Sequence, residues 1–414
     1  MQSPLRTAAA GLIGNVLEWF DYAVYGFFAT EMGKAFFPAS LDPDDKQLFS
    51  YAIFWVAFIA RVIRGLVLGP VGDRIGRRTL LFVSIMVMGG ATLAIGLLPT
   101  YESIGIAAPL LLLGLRLIQG FSLGGEFTGS MVYTTELASP RLRGIIASST
   151  AAGTTLGFFL GSGTSWVVNS SLGPVESAAW GWRIPFIASA LLCVAGLLLR
   201  RGVHETEQAA KAAAERAPIL PSLIADWKPI VQTFGIVAMT NAAYYLTFQY
   251  AVEKRKVEDS TFQLVNTLTL LVVLAAKIFG GWLSDRVGRR RLMIALTVAL
   301  MAVLYLGQRL MLTGSPPTFM LGQVLLGIPL AMSLGLQGAM VVEIFPLRTR
   351  VTSMSFAYSI TLALSGGATP FIASWLTTAL GSPMAPAFFV MVYGLIGLPI
   401  MLAMRETNDR SLDV

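Results

Sequence analysis

The chain has 414 residues, of which 55% are hydrophobic and 13% charged, and its mean hydropathy is +0.69. These values lie far from those of soluble proteins and indicate an integral membrane protein. The formal net charge is +7. The placement of basic residues in short loops accounts for this charge, so nucleic-acid binding is not expected.

Long apolar segments recur along the whole chain. A membrane-crossing helix needs about 20 mainly apolar residues, and a window of that length finds twelve candidate spans. They lie at about residues 8–34, 48–70, 79–98, 105–135, 145–170, 183–200, 229–251, 261–284, 291–312, 317–344, 351–379 and 384–404. The first span carries Glu18 and Asp21 and has no convincing cleavage site, so we interpret it as a retained helix and not as a signal peptide.

One motif occurs twice, each time after a long apolar run. Gly69-Pro-Val-Gly-Asp-Arg-Ile-Gly-Arg-Arg78 returns 212 residues later as Gly281-Trp-Leu-Ser-Asp-Arg-Val-Gly-Arg-Arg290. Because this spacing is close to half the chain length, the sequence predicts two homologous halves, the plan of many secondary transporters. We expect an N-terminal six-helix bundle at 1–200, a cytoplasmic linker at 201–228 and a C-terminal six-helix bundle at 229–414.

The basic residues also predict the orientation. With the N-terminus inside, 19 of the 30 Lys and Arg residues fall in cytoplasmic loops, the linker and the tail, as the positive-inside rule requires. We therefore expect both termini in the cytoplasm of a bacterial-type inner membrane. The loop at 253–259 does not fit, since an outer loop with as many basic as acidic residues has no explanation in this scheme.

The sequence excludes several other kinds of chemistry. The single cysteine, Cys193, rules out an internal disulfide and is expected to be a packing residue, while the lone His204 is expected at the surface of the linker. No metal-ligand spacing, nucleotide-binding loop or nucleophile triad occurs, so neither a metal site, an ATP-driven pump nor an enzyme is predicted. Proton chemistry would depend on carboxylates.

Three further strings resemble a known family. They are Gly14-Asn-Val-Leu-Glu-Trp-Phe-Asp-Tyr22, Arg116-Leu-Ile-Gln-Gly-Phe-Ser-Leu-Gly-Gly-Glu126 and Trp180-Gly-Trp-Arg-Ile-Pro-Phe186. Together with the repeated loops they are similar to the metabolite:proton symporters of the major facilitator superfamily, over nearly the whole chain. The resemblance implies twelve transmembrane helices in two pseudo-symmetric bundles. It also implies transport of carboxylates such as citrate, 2-oxoglutarate or shikimate, or of osmolytes such as proline and betaine, commonly with protons.

The repeated loops and a second echo after the fourth and tenth spans indicate an inner gate. The resemblance implies that carboxylates and arginines at these helix ends pair when the cytoplasmic side is closed. The alternative is that the loops only fix the topology by their positive charge. The gate candidates are Gly69, Asp73, Arg77, Glu136, Arg143, Asp285, Arg289, Glu343 and Arg350.

Charged residues inside the predicted spans indicate the kind of solute that is transported. Each costs about 2.5 to 3.5 kcal/mol at mid-helix on insertion scales and usually faces a cavity or a partner. Arg61 and Arg116 should lie near the midplane, and a guanidinium matches a carboxylate, so an organic anion is expected. Alternatively, Asp21, Glu18 or Glu126 neutralises these arginines.

The second span departs from the family pattern. Val62 replaces a proline that follows the arginine in the family, and Arg64 is an additional cation near the cytoplasmic exit. In the eighth span, Lys277 is unusual for the family. It either provides a second carboxylate contact or, as we favour, snorkels to the cytoplasmic surface or pairs with Glu343.

Polar and aromatic residues complete the candidate substrate site. The full set is Arg61, Arg116, Gln119, Tyr22, Tyr25, Asn241, Tyr244 and Tyr245. Tyrosines are common at membrane interfaces, which is the alternative explanation for the four in this set. A tyrosine-rich cavity would also suit an osmolyte carrier, because aromatic faces attract a quaternary amine.

The acids of the first span are the main candidates for proton coupling. Asp21 and Glu18 are three residues apart and share a helix face, and Glu126 is a further candidate that alternatively braces helix packing. We hypothesise that the substrate and Asp21 compete for Arg116, so substrate binding releases Asp21 to take a proton. The alternative is a purely structural tether between Asp21 and Arg116.

The sequence thus predicts a proton-coupled importer of a small di- or tricarboxylate or related organic acid. Its expected partners are a small-molecule organic anion and the lipid bilayer. We expect a monomer that uses no cofactor apart from protons as the coupling ion. The alternatives are a proton-coupled osmolyte symporter, proton-driven efflux of the same acids, and a sensor that binds solute without transport.

Overall fold

A computed structural model describes residues 4–75, 77–122, 126–200, 219–256, 260–408 and 412, with the backbone alone at 4–13, 65–75, 77–82, 126, 191–192, 194–200 and 256. In these ranges the regular structure is helical and no strand occurs. The α-helices are α1 (Pro4–Phe27), α2 (Ala29–Phe36), α3 (Pro43–Ile75), α4 (Arg77–Leu97), α5 (Tyr101–Ile104), α6 (Ala107–Ser122), α7 (Glu126–Leu137), α8 (Arg143–Glu176), α9 (Arg183–Arg200), α10 (Ile219–Ala225), α11 (Trp227–Tyr245), α12 (Ala251–Lys256), α13 (Thr261–Val287), α14 (Arg289–Thr313), α15 (Pro316–Ile344), α16 (Arg350–Leu362), α17 (Thr369–Leu380) and α18 (Ala385–Ala403).

Each of the twelve predicted spans coincides with one helix or with two consecutive helices. By length and composition, eight helical segments in the described part of the chain are able to cross a membrane, and a shorter apolar helix lies at Val83–Leu97. The first span is interrupted at Phe28, between α1 and α2. The seventh and eleventh spans contain π-helical turns at Leu246–Tyr250 and Ala363–Gly367, a feature that is frequent at functional sites.

The two halves meet through equivalent pairs of helices. α8, the fifth span, packs against α13, the eighth span, and α3, the second span, packs against α16 and α17, which form the eleventh. The internal repeat equates the second span with the eighth and the fifth with the eleventh. The two interfaces are therefore related by the pseudo-symmetry that the repeat predicts.

Glycines allow the closest of these helix contacts. At the crossing of α8 and α13, a Cβ atom on Gly144 or on Gly281 would collide with the carbonyl oxygen of the other glycine. Within the first half, a Cβ atom on Gly120 of α6 would collide with the carbonyl oxygen of Ala57 in α3. Small residues let helix backbones touch in this way, so van der Waals packing replaces the hydrophobic effect that is absent between helices in lipid.

We predict that Gly120→Ala destabilises the protein and that Gly114→Ala, in the same helix, does not. The added methyl group at Gly120 meets the backbone of Ala57, whereas nothing lies within 4 Å of a Cβ at Gly114. Overpacking of this kind typically costs about 1–3 kcal/mol, while Gly to Ala in a helix with free space is neutral or favourable. Thermal unfolding in detergent measures both, and equal midpoints for the two variants would contradict the close approach.

Candidate functional site

A small cavity lies between the two halves near the middle of the helices. Its volume is about 30 Å³, room for one or two water molecules but not for an organic solute. The first half contributes Trp19, Phe127, Ala151, Thr154 and Phe158, and the second half contributes Asn241, Tyr244, Tyr245, Lys277, Leu334, Gln337 and Tyr358. Since seven different spans meet here, any relative movement of the halves changes the shape of this cavity.

Six aromatic rings form a continuous wall around the cavity. Phe127 contacts Tyr358 and Trp19, with ring centroids 5.4 Å and 5.8 Å away. Phe158 lies 6.1 Å from Trp19, 4.9 Å from Tyr244 and 5.8 Å from Tyr245. The rings come from both halves, and several meet edge to face, the arrangement that aromatic quadrupoles favour.

Lys277 places its ammonium in this cavity, and the favoured expectation that it snorkels or pairs with Glu343 is wrong. Its side chain is 2% exposed, and Nζ donates to Thr154 Oγ1 at 3.0 Å and to the carbonyl oxygen of Ala151 at 3.3 Å. Glu343 is instead bound to Arg289. At the same position α13 is packed directly on α15, where a Cβ on Gly335 would collide with the carbonyl oxygen of Lys277.

Arg61 forms a buried ion pair behind the cavity wall. Its Nη1 lies 2.6 Å from Oε1 of Glu18, and both side chains are almost fully buried. Its guanidinium carbon is 5.9 Å from the centre of the Trp19 ring, which lines the cavity. The second span thus provides a cation that Glu18 already neutralises, as one of the alternatives from the sequence proposed.

Arg116 reaches Asp21 through a glutamine and not directly. Its Nη1 donates to Gln119 Oε1 at 2.8 Å, and Gln119 Nε2 donates to Asp21 Oδ2 at 2.6 Å and to Thr92 Oγ1 at 2.8 Å. The guanidinium carbon also lies 4.3 Å from the centre of the Tyr25 ring, a favourable cation–π distance. The direct pairing of Asp21 with Arg116 that the sequence suggested is corrected, since the amide lies between the two charges.

The predicted substrate residues therefore lie in two layers. Asn241, Tyr244 and Tyr245 line the cavity. The other five do not line it, because their polar groups or rings contact residues one layer behind the wall. These five are Tyr22, Tyr25, Arg61, Arg116 and Gln119. For example, the Tyr25 hydroxyl donates to the carbonyl oxygen of Ser50 at 3.2 Å.

Several cavity residues were not identified from the sequence. Phe127 and Phe158 are ordinary residues of an apolar helix, so nothing in the pattern distinguished them from lipid-facing residues. Trp19 belongs to one of the three family-like strings but was not assigned to the site. Thr154 and Gln337 gave a weak signal, since each is a polar residue inside an apolar run. Gln337 Oε1 accepts from Thr240 at 2.9 Å, and its amide nitrogen donates to the Tyr358 hydroxyl at 3.4 Å.

At the cytoplasmic face, Asp285 joins the two halves. Its Oδ1 accepts the backbone N–H of Gly144 at 2.8 Å, and its Oδ2 accepts that of Ile145 at 3.0 Å. Both N–H groups belong to the first turn of α8, where the helix dipole favours negative charge. Arg289 Nη1 lies 3.0 Å from the same carboxylate. The carboxylate of the repeated loop therefore closes onto the opposite bundle.

Two further arginine pairs surround this contact. Arg289 Nε lies 2.6 Å from Glu343 Oε2 inside the second half. Arg350 Nη1 lies 2.7 Å from Glu136 Oε1, which joins the second half to the first. Arg143 is buried at the start of α8. For the gate candidates Gly69, Asp73 and Arg77 and the proton candidate Glu126, only the backbone is described. Linker residues 201–218 lie outside the described part entirely.

The C-terminal tail is tied to the same face. Glu406 Oε1 accepts the backbone N–H of Arg289 at 2.7 Å, of Arg290 at 3.0 Å and of Thr407 at 3.0 Å, so it caps the first turn of α14. Partial burial raises the pKa of Glu406, but these backbone hydrogen bonds together outweigh it and hold the pKa below its ordinary value of 4.5. Arg350 Nη2 donates to the carbonyl oxygen of Leu412 at 3.0 Å.

The outer face is closed by residues that the sequence left without an explanation. Glu253, at the end of the seventh span, is fully buried and accepts the backbone N–H of Thr30 in the first half at 2.8 Å. Lys254 lies 3.4 Å from Asp44, and Arg255 donates to the carbonyl oxygens of Leu312 and Gly314 at 2.8 Å and 2.7 Å. The charged loop thus serves inter-half contact and capping, not membrane topology.

Comparison with known proteins identifies families and relatives that this chain resembles. Residues 7–217 match the family model described as Sugar (and other) transporter, and residues 230–412 match the Major Facilitator Superfamily model. The chain is 32% identical to the proline/betaine transporter of Salmonella typhimurium over 98% of its own length and 84% of that protein's. It is 34% identical to the citrate-proton symporter of Klebsiella pneumoniae over 93% and 88% of the two lengths.

The chain belongs to the metabolite:proton symporter family of the major facilitator superfamily. It is therefore a membrane transporter and not an enzyme, as the motifs predicted. The fold agrees, because the partially occluded inward-open structure of the xylose transporter from Escherichia coli superimposes with a TM-score of 0.75 at 19% identity, covering 99% of both chains. The all-α prediction with two six-helix bundles is confirmed.

We predict that Asp285→Asn opens the cytoplasmic face of this transporter. Loss of the charge weakens two hydrogen bonds to α8 and the contact with Arg289, and charge-assisted bonds contribute about 1.5–3 kcal/mol each. In a Cys193→Ser background, a cysteine at Ser148 should then react with a maleimide about tenfold faster or more. Asp45→Asn, an exposed change in the first turn of α3, should leave the rate unchanged, and equal rates in both variants would rule out a latch at Asp285.

We also predict that Glu406→Gln loosens the first turn of α14 in a pH-dependent way. Since the folded pKa of Glu406 lies below the ordinary value, its stabilising contribution is present above about pH 4.5 and is lost as the pH falls through the lowered value. Amide hydrogen exchange at residues 289–291 should be severalfold faster in the variant at neutral pH, with the difference vanishing in acid. Glu102→Gln, an exposed change, is the control, and a difference that persists unchanged in acid would contradict this account.

Proposed function

We propose that this protein is a proton-coupled symporter that carries a small organic carboxylate across a bacterial-type inner membrane by alternating access. It works as a monomer with both termini in the cytoplasm, and protons are the coupling ion with no other cofactor. The names of the relatives support the proposal, since they include a citrate-proton symporter and proline/betaine transporters. The cavity between the halves supports it as well, because transporters of this architecture bind their substrate at that place.

The observation that carries the proposal is the buried network of Asp21, Gln119 and Arg116. Asp21 follows Trp19, which lines the cavity, by two residues on the same helix, and its side chain is buried. Its partner Gln119 is neutral, so Asp21 gains or loses a proton without leaving an ion pair broken. Intramembrane acids of this kind commonly mark proton pathways.

The network supplies a route from protonation to substrate binding. A charged Asp21 accepts a charge-assisted hydrogen bond from Gln119, which in turn holds Nη1 of Arg116. When Asp21 is neutral, this bond weakens and Gln119 and Arg116 are free to rearrange behind Tyr22 and Tyr25. The wall next to the cavity then changes with the proton, which is the coupling that symport requires.

The aromatic wall supports a second candidate, a proton-coupled osmolyte carrier. Rings of Trp and Tyr attract a quaternary or secondary ammonium group, and six rings surround the cavity. The two candidates share the gates and the acid network. They differ in whether a neutral zwitterion competes for transport and whether uptake rises with osmotic strength.

We predict that Asp21→Asn separates exchange from accumulation. The test uses proteoliposomes and labelled citrate, 2-oxoglutarate, shikimate, proline and betaine. Counterflow of the transported solute should continue in the variant, because exchange needs no net proton movement. Uphill uptake should be lost, whereas a gradient of one pH unit sustains up to about tenfold accumulation per coupled proton in the wild type.

Asp42→Asn is the matched control, since Asp42 is an exposed loop acid outside the network. It should accumulate solute as the wild type does. Unchanged accumulation by Asp21→Asn would remove Asp21 from the coupling mechanism. Failure of the wild type to exchange any solute of the panel would contradict the proposed transport activity itself.

A further inference from the structure

We infer that Lys277 is the anchor for the substrate carboxylate and that the aromatic wall holds the opposite end, so the carrier selects solutes with a single carboxylate. This inference rests on the second candidate of the proposed function, the osmolyte carrier, and specifies the substrate class of the same site. It assigns to one lysine of the second half the role that the sequence assigned to arginines of the first. The preferred solute is a compact zwitterion, with the carboxylate at one end and an alkylated ammonium at the other.

The charge that a solute meets in the cavity is positive. Among the described residues that line it, Lys277 is the one charged side chain. Arg61 is neutralised by Glu18 at 2.6 Å, and Arg116 is held against Gln119 and the Tyr25 ring. A solute in this cavity therefore meets one positive charge, which matches one carboxylate.

The ammonium of Lys277 is incompletely solvated. An ammonium has three N–H donors, and the described partners of Lys277 are two neutral oxygens, Thr154 Oγ1 and the carbonyl of Ala151. No carboxylate in the described part of the chain lies within ion-pair distance of it. A buried cation with neutral partners is costly, and an incoming carboxylate supplies the missing counter-charge.

Lys277 lies between the two halves. The lysine belongs to α13, whereas both of its oxygen partners belong to α8 in the other half. A substrate carboxylate competes with these oxygens for the ammonium. Binding therefore weakens one contact that holds the halves together, close to the crossing of Gly144 and Gly281, and this favours rocking of the loaded carrier.

Aromatic rings line the same cavity as the Lys277 ammonium. The rings of Trp19, Tyr244, Tyr245, Phe158, Phe127 and Tyr358 form a continuous surface. Such a surface attracts an organic cation through its ring faces and accepts apolar groups. A second carboxylate placed there would be desolvated against the negative faces of the rings, so di- and tricarboxylates are disfavoured.

The test measures discrimination between a carboxylate and its amide. Counterflow of labelled L-proline and glycine betaine is followed in proteoliposomes, with unlabelled prolinamide, citrate and 2-oxoglutarate as competitors. The variants are Lys277→Met, Lys277→Gln and Lys277→Arg, and Lys34→Met removes an exposed lysine of α2 as the control. Thermal unfolding of each purified variant shows whether it is folded.

We expect the wild type to exchange proline or betaine and to prefer proline over prolinamide. Removing one partner of a buried charge pair is a large loss, so both neutral variants should raise the half-saturation concentration at least ~30-fold. They should also lose the preference for proline over prolinamide. Lys277→Arg should restore much of that preference, and Lys34→Met should behave as the wild type.

Three results would overturn the inference. Folded Lys277→Met or Lys277→Gln that still prefers proline over prolinamide would show that another group binds the carboxylate. Citrate or 2-oxoglutarate exchanged in preference to the monocarboxylates would show that the site holds more than one carboxylate. A wild type that exchanges no solute of the panel would remove the proposed transport function, whereas the first two results leave that function intact.

Discussion

At the cytoplasmic face, Asp285 binds the first backbone N–H groups of α8 across the boundary between the halves, and the Arg350–Glu136 pair crosses the same boundary. The Asp285 contact exists because the glycines at the crossing, Gly144 and Gly281, bring the two helices together until their backbones touch. In lipid, unpaired backbone groups are costly, so the exposed turn of α8 needs a partner. The carboxylate provides that partner reversibly, which a permanent helix contact does not.

The same rule of internal pairing determines what the cavity offers to a solute. The two candidate arginines of the first half each have a partner within that half, Glu18 for Arg61 and Gln119 for Arg116, and neither is among the residues that line the cavity. The second half supplies Lys277, whose partners are neutral. The chemical character of the binding site thus follows from which buried charges are already compensated, not from how many of them the spans contain.

The positions of the spans, the two-half plan and several charged contacts at the cytoplasmic helix ends could be predicted because each has a sequence signal: apolar length, a repeat, and charges at fixed distances from it. Asp285, Arg289, Glu343, Glu136 and Arg350 meet as that pattern predicts. Rotation of a helix about its axis has no comparable signal. For this reason the sequence assigned Arg61 and Arg116 to the substrate site, although they are not among the residues that line the cavity, missed the aromatic lining, and favoured a surface position or a pairing with Glu343 for Lys277.

The two halves are joined at both faces, by Asp285 inside and by Glu253 bound to Thr30 outside. Both carboxylates belong to the second half and bind opposite ends of the first. When the halves rock so that one contact opens, the contact at the other face stays closed. A pathway open at both faces therefore does not form, which limits the passive leak of ions.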